Sequence, residues 1–334
     1  MRAIHALAAA ILLGLTTGEA ASLEAGKIVT FEGACEPSAV VSFPEGTVDR
    51  WFIVADDNDN RLRVYEATTG RHAEKSDLDL NDLLGLDASE ENDKIDLEGG
   101  TRLGNSIYFV GSHSRSGRKG KIRPSRSNLF AITAYVDGGV VRLLPQPSSY
   151  RNLRNDLSGL SDALMDAIGV AEEDESLAPG AMGLNIEGMS VTADGTGLLL
   201  GFRNPLIGKK APVVLFVNPQ AVLSAGARPN LQMLPPVDLL GNGIRSIEYV
   251  PAKNGYLLLS GPSDDGEGFT AWWWSLAENS VEPIEEINSF LDDNKDFRAE
   301  AIVADDAGAK ISIFSDNDDA CDDGARRFTG VTFR

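Results

Sequence analysis

The sequence predicts an all-β protein, a five-bladed β-propeller closed by its own N-terminal strand. Three observations carry this. Five segments read as one strand repeated: EPSAVVSF from Glu36, LEGGTRLG from Leu97, IEGMSVTA from Ile186, RSIEYVPA from Arg245 and AEAIVADD from Ala299. A more apolar run follows each: WFIVADD, SIYFVGSH, GLLLGFRN, YLLLSGPS and ISIFSDND. The spacing is regular when Ser38, Glu98, Glu187, Ser246 and Glu300 are taken as matched positions. Glu98 to Gly111 is 13 residues, and Glu187 to Gly201, Ser246 to Ser260 and Glu300 to Phe314 are 14 each. Ser38 to Ala55 is 17, with the extra residues in the turn PEGTVD. A repeat of this kind fixes the architecture before any local assignment.

Residues 1–20 read as a secretory signal. Arg2 gives the positive start, Ile4 to Leu15 the apolar run, and Gly18-Glu19-Ala20 the small-x-small end. The run is too short to span a bilayer, and no other stretch approaches that length. The expectation is a periplasmic or secreted protein without membrane insertion. Net charge is -20, unchanged on losing Arg2 and Glu19, which argues against nucleic acid as a partner.

Within residues 22–334, third strands follow as RLRVYEA, NLFAITA, PVVLFVN, TAWWWSL and FTGVTF. Fourth strands are weaker: KSDLDL, GVVRLLP, LQMLPPV and VEPIEEI. The fifth repeat lacks a fourth strand, and KIVTF at Lys27–Phe31 is the donor that would close the ring and leave few exposed edges. Leu153, Leu157, Leu160, Leu164 and Ile168 fall at helical spacing, so a helix packed on the propeller side is expected at about 151–170. Alternation turns Trp273 away from Trp272 and Trp274, which suits packing between blades. Cys35 and Cys321 fall on one face in neighbouring blades. A disulfide between them would fasten the ring at about 2–4 kcal/mol.

The innermost strands line the axis. The matched residues would aim three carboxylates and two hydroxyls at one point, with Glu36, Asp96, Asn185 and Arg298 two residues earlier. Carboxylates crowded this way take up protons, meet cations or bind a metal. An all-oxygen set suits Ca²⁺, and no His or Cys in it suggests zinc or copper. The alternative is a hydrogen-bonded network paired with Arg102, Arg245 and Arg298. The ends of second strands crowd the same mouth: Asp57 and Asn58, His113, Arg203, Asp264, Asp316. The loop SHSRSGRKGKIRPSRSN adds six basic residues from Arg115 to Arg126, able to bind phosphates or to balance the acidic surface. The acidic runs DDNDN and SDNDDACDDG lack the EF-hand spacing and read as a solvated face. There is no nucleophile elbow, Walker loop or HExxH.

IEGM, DLEGG, VADDNDNRLRVY, GFRNPL and GIRS resemble an uncharacterised family of exported bacterial proteins grouped near the esterase-like phytases. The order Ser38, Glu98, Glu187, Ser246, Glu300 is also similar to the axial ligand order of calcium-activated nucleotidases of the apyrase type. That resemblance implies one Ca²⁺ on the pseudo-fivefold axis.

The leading expectation is a monomeric, calcium-dependent hydrolase of a small phosphoester. Arg203, Arg298, Asn185 and Asn58 would hold the anionic substrate, and Asp57, Asp316 or His113 would serve catalysis. One alternative is a non-catalytic binding propeller with a structural calcium. Another is a lactonase or esterase using His113 as base.

Overall fold

A computed structural model describes residues 22–87, 93–179, 182–264, 266, 268–316 and 324–334. The expected signal and Cys321 lie outside these. The chain opens with β1 (Val29–Glu32). Blade 1 follows as β2 (Ala39–Phe43), β3 (Trp51–Ala55), β4 (Arg61–Glu66) and β5 (Leu78–Asp79). After α1 (Asn81–Leu84) comes blade 2: β6 (Leu97–Leu103), β7 (Ser106–Gly111), β8 (Leu129–Asp137) and β9 (Val140–Tyr150). Then α2 (Leu153–Leu157) and α3 (Asp162–Ile168) lead to blade 3. It holds β10 (Asn185–Val191), β11 (Leu198–Asn204), β12 (Val213–Phe216), α4 (Pro219–Ala225) and β13 (Leu231–Met233). Blade 4 is β14 (Gly243–Val250), β15 (Gly255–Gly261), β16 (Thr270–Ser275) and β17 (Ser280–Pro283). After α5 (Glu285–Asp293), blade 5 is β18 (Arg298–Ala304), β19 (Ile311–Asp316) and β20 (Arg327–Phe333).

All five sheets are four-stranded. The fourth strand of blade 5 is β1, antiparallel to β20 with Phe31 opposite Phe328, so the N-terminal segment closes the ring. The innermost strands touch in the cycle β2, β6, β10, β14, β18 and back to β2.

Each blade is a sheet between two others, so its second strand is buried on both faces and reads as a continuous apolar run. Alternation then sends successive side chains to opposite neighbours. Along β7, Ile107 and Phe109 enter the core shared with blade 1, and Tyr108 and Val110 that shared with blade 3. Along β15, Leu258 faces blade 3, and Leu257 and Leu259 face blade 5. Trp272 and Trp274 join the core with blade 3, and Trp273 packs on the opposite one, as alternation requires. The seam between blades 5 and 1 is aromatic, with Phe31, Phe52, Tyr65, Phe314 and Phe328 buried together.

Two elements differ from the sequence expectation. The helix at 151–170 is two short helices, divided where Ser161 starts α3 by accepting from the Leu164 N–H. Its apolar stripe still packs: Leu153, Leu157, Leu164 and Ile168 are buried on the core between blades 2 and 3. The segment VEPIEEI leaves the sheet at Pro283, and its last residues begin α5, which buries Ile287 and Leu291.

Candidate functional site

Four innermost strands carry a β-bulge at the same place. The ladders skip a residue between Leu97 and Gly99, Ile186 and Gly188, Ile244 and Ser246, and Ala299 and Ala301. A bulge releases one residue from the ladder and re-aims its side chain. The residues so placed are Glu98, Glu187, Arg245 and Glu300. In blade 1 the ladder begins at Ala39, and Ser38 holds the corresponding position.

Arg245 therefore stands where Ser246 was expected. All five bulge-position residues line an axial cavity of about 300 Å³, and Ser246 is not among its lining residues. The Ser246 hydroxyl instead accepts from the Ile302 N–H of blade 5 at 3.3 Å. Thr101 does the same for Val191 of blade 3 at 3.1 Å. Both hydroxyls satisfy backbone donors on the inner sheet edge.

Arg245 is buried between Glu187 and Glu300. Its Nη1 donates to Glu300 Oε1 at 3.0 Å and Oε2 at 2.9 Å, and lies 3.2 Å from Glu187 Oε2. Burial works against its charge, and Glu187, Glu300 and Glu98 outweigh that and hold it firmly protonated. Glu300 is raised by burial, with Arg245 opposing. Glu98 is held well above the usual carboxylate range by burial first, then by Glu187, Asp96 and Glu300.

The layer above is as expected, with Glu36, Asp96, Asn185 and Arg298 all lining the cavity. Asn185 is 4% exposed and donates to Glu187 Oε1 at 2.7 Å, while its own Oδ1 has no donor. Asp57, Arg126, Arg203 and Asp316 complete the charged lining, which is ion-paired on one side and largely acidic on the other. On the side of blades 3 to 5, carboxylates meet arginines: Arg203 reaches Glu187 at 3.2 Å, Arg245 bridges Glu187 and Glu300, and Arg298 lies 3.9 Å from Asp316. On the side of blades 1 and 2, Glu36, Asp57, Asp96 and Glu98 gather, with Arg126 against Asp96 at 2.9 Å. Glu98 makes no ion pair among the described residues. Oxygens of Asp57, Asp96 and Glu98 lie within 4.8 Å of one another, as do those of Glu36, Asp56 and Asp57. Burial, then the bonded Glu36 carboxyl, then Glu98 and Asp96 push Asp57 well up.

Other expected residues have structural work. Arg203 donates to the carbonyls of Pro262 at 3.1 Å and Asp264 at 2.7 Å besides reaching Glu187. Asn58 donates to Glu36 and accepts from Lys94 at 3.3 Å, outside the cavity lining. His113 is not at the mouth. It is buried with φ 58°, its Nδ1 bonds the Gly111 carbonyl at 2.8 Å, and burial depresses its pKa to about 4. Ser114, one residue on, takes the lining position. Within the basic loop, Arg115 is buried and donates to the carbonyls of Gly120, Ala171 and Ile168, and so docks the helical insertion. Of that loop, Ser114, Gly117 and Arg126 line the cavity. Cys35 is buried, and its N–H donates to Asp56 at 3.0 Å.

Comparison with known proteins gives one partial family match and several similar structures. Residues 40–137 match a family described as "Protein of unknown function (DUF3616)". The match accords with the resemblance to an uncharacterised family and says nothing of phytases or nucleotidases. No curated protein matches. Among solved structures, a glutaminyl cyclase of Myxococcus xanthus is similar at 10% identity over 93% of this chain and 96% of that one, with a TM-score of 0.47. A PQQ-bound aldose sugar dehydrogenase of Streptomyces coelicolor is similar at 13% identity over 94% and 98%, TM-score 0.45. The β-propeller domain of Myceliophteria thermophila Cps50 (Swd1) is similar at 10% identity over 92% and 99%, TM-score 0.40. These likenesses concern overall shape and carry no chemistry across.

Proposed function

We propose that the protein is an exported, Ca²⁺-dependent hydrolase of a small phosphoester, working in the axial cavity. The observation that carries this reading is the uneven charge of the cavity: an oxygen-rich acidic side next to a side where guanidinium groups and carboxylates are paired. The acidic side fits a hard divalent cation, because its donors are all oxygens and Asp57 Oδ1 is buried without a hydrogen-bond partner. Bound there, Ca²⁺ would polarise a phosphoryl oxygen.

Arg298 is the anion-binding residue of this reading, since it is the most exposed of the cavity arginines, at 48%. Asp316 beside it orients Arg298 or an attacking water. Hydrolysis forms a P–O bond to that water and breaks the ester P–O bond, with a proton passing to the departing alkoxide. The Cys35–Cys321 disulfide belongs with export. No helix among the described residues is long and apolar enough to cross a membrane.

The test is a Ca²⁺-dependent turnover assay on nucleotides, inositol phosphates and phosphomonoesters, with Arg298→Ala as comparison. The expectation is turnover abolished by chelation and lowered in the variant. Absence of turnover with saturating Ca²⁺ rejects the enzyme.

One observation favours the second reading, a binding propeller. Arg203 is committed to Glu187 and two carbonyls, which leaves fewer side chains for chemistry. In that case Arg298→Ala abolishes ligand retention and no turnover is seen with either protein.

A further inference from the structure

We propose that the divalent cation sits off the axis, on Asp57, Asp96 and Glu98, and that Arg245 is a resident monocation taking Glu187 and Glu300 in its place. This rests on the calcium reading above and says where that ion binds.

The axial ring does not fit a divalent cation as it stands. Two of its three carboxylates are already taken by a guanidinium, within 3.2 Å of Glu187 and bonded to both oxygens of Glu300. Guanidinium is always protonated and cannot give way by losing its charge. The bulge at Arg245 fixes the backbone behind it, so the side chain is aimed inward by the fold itself.

The neighbouring site does fit. Calcium takes oxygens at 2.3–2.6 Å, so two of its ligands stand no more than about 5 Å apart. The oxygens of Asp57, Asp96 and Glu98 all meet that limit with one another. Asp56 is excluded, because the N–H groups of Cys35 and Asn58 and the Arg326 guanidinium already occupy its oxygens. Ser112, Ser114 and Arg126 all reach Asp96 through Oδ2, and none takes Oδ1. Two further observations point to a ligand. Asp57 Oδ1 is buried with no donor, and so is Oδ1 of Asn185, a residue almost wholly buried in the wall of the same cavity. Neutral amide oxygen and carboxylate are both calcium donors.

The experiment is calorimetric titration of the chelator-treated protein with Ca²⁺, with Tb³⁺ luminescence as a second readout. One equivalent is expected for the natural chain. Asp57→Asn with Glu98→Gln should weaken binding on the order of 10–100-fold. Glu187→Gln should leave affinity within about threefold and the stoichiometry unchanged, because Glu187 belongs to Arg245. Arg245→Met should bind a second equivalent, on Glu98, Glu187 and Glu300. If that variant does not fold, the Asp57/Glu98 and Glu187 variants still decide. Loss of binding in Glu187→Gln, or retention in Asp57→Asn/Glu98→Gln, overturns the off-axis site and leaves the calcium reading standing. No binding by the natural chain at millimolar Ca²⁺ overturns both.

Discussion

A single nitrogen of Arg245 donates to both oxygens of Glu300, at 3.0 and 2.9 Å, across the seam between blades 4 and 5. The same guanidinium faces Glu187 of blade 3, so one side chain ties three blades together at the axis. Its removal leaves buried carboxylates facing each other. Arg245→Met is therefore expected to lower the unfolding free energy by about 3–5 kcal/mol in the absence of divalent cations. Arg245→Lys should recover only part, since an ammonium lacks the planar fork. Urea denaturation of the three proteins in chelator measures this. Equal midpoints would show that the pair contributes nothing.

Blades 3 and 4 meet on glycine. A Cβ built on Gly188 or on Gly201, which pair across β10 and β11, would stand 2.7 Å from Ile244 Cγ2 and 2.8 or 2.7 Å from Ile247. Backbone and isoleucine are in contact there, with no room for a methyl group. Gly201→Ala should cost about 1–3 kcal/mol by overpacking. Combining it with Ile247→Val should cost less than the sum of the two single changes, which a double-mutant cycle in urea reads directly.

His113 is buried neutral, with its pKa depressed to about 4 by burial. The unfolded chain binds a proton there near pH 6.5, before the folded one does, so stability is lost as pH falls from about 6.5 towards 4. The shift corresponds to about 3 kcal/mol at most. Melting temperatures across this range should flatten in His113→Asn, a residue chosen because φ is 58° at this position. An unchanged pH profile would place the acid sensitivity elsewhere.

Glu248, on β14, has the opposite sign. Burial raises it to about 8, with Asp306 and Glu45 adding to the effect and the Ala304 N–H opposing. The unfolded carboxyl ionises first, so stability falls as pH rises from about 4.5 to 8. Glu248→Gln should match the natural chain in melting temperature at pH 4.5 and exceed it at pH 8. A gain of equal size at both pH values would argue against a protonated Glu248.

The blades were legible because a strand between two sheets must be apolar on both faces, and five such runs recur at even spacing. Legible too were the closing strand and the alternation of Trp272, Trp273 and Trp274. The layer holding Glu36, Asp96, Asn185 and Arg298 followed from that alternation. Blade 4 was set one residue out of register, because Ser246 matches Ser38 chemically. The bulges supply the better guide, a variable residue between an apolar or proline residue and a small one: Pro37-Ser38-Ala39, Leu97-Glu98-Gly99, Ile186-Glu187-Gly188, Ile244-Arg245-Ser246, Ala299-Glu300-Ala301. Read that way, arginine enters the ring from sequence alone. Helix α5 was missed because VEPIEEI begins as a strand, although Ile284, Ile287 and Leu291 are spaced for one helical face. The pairing of Glu187 with Arg203 depends on how two strand ends meet, and no local pattern announces it.

The joining of β1 to β20 bears on how the molecule is made. Strand β1 leaves the ribosome before any blade, and its hydrogen-bonding partner β20 follows all the other strands. Until then blade 5 lacks both its outer strands, and the aromatic seam of Phe31, Phe314 and Phe328 has no second half. The ring is thus completed only once β20 has been made, after every other strand. Until that point the growing chain carries an open seam that no earlier stretch of it can close.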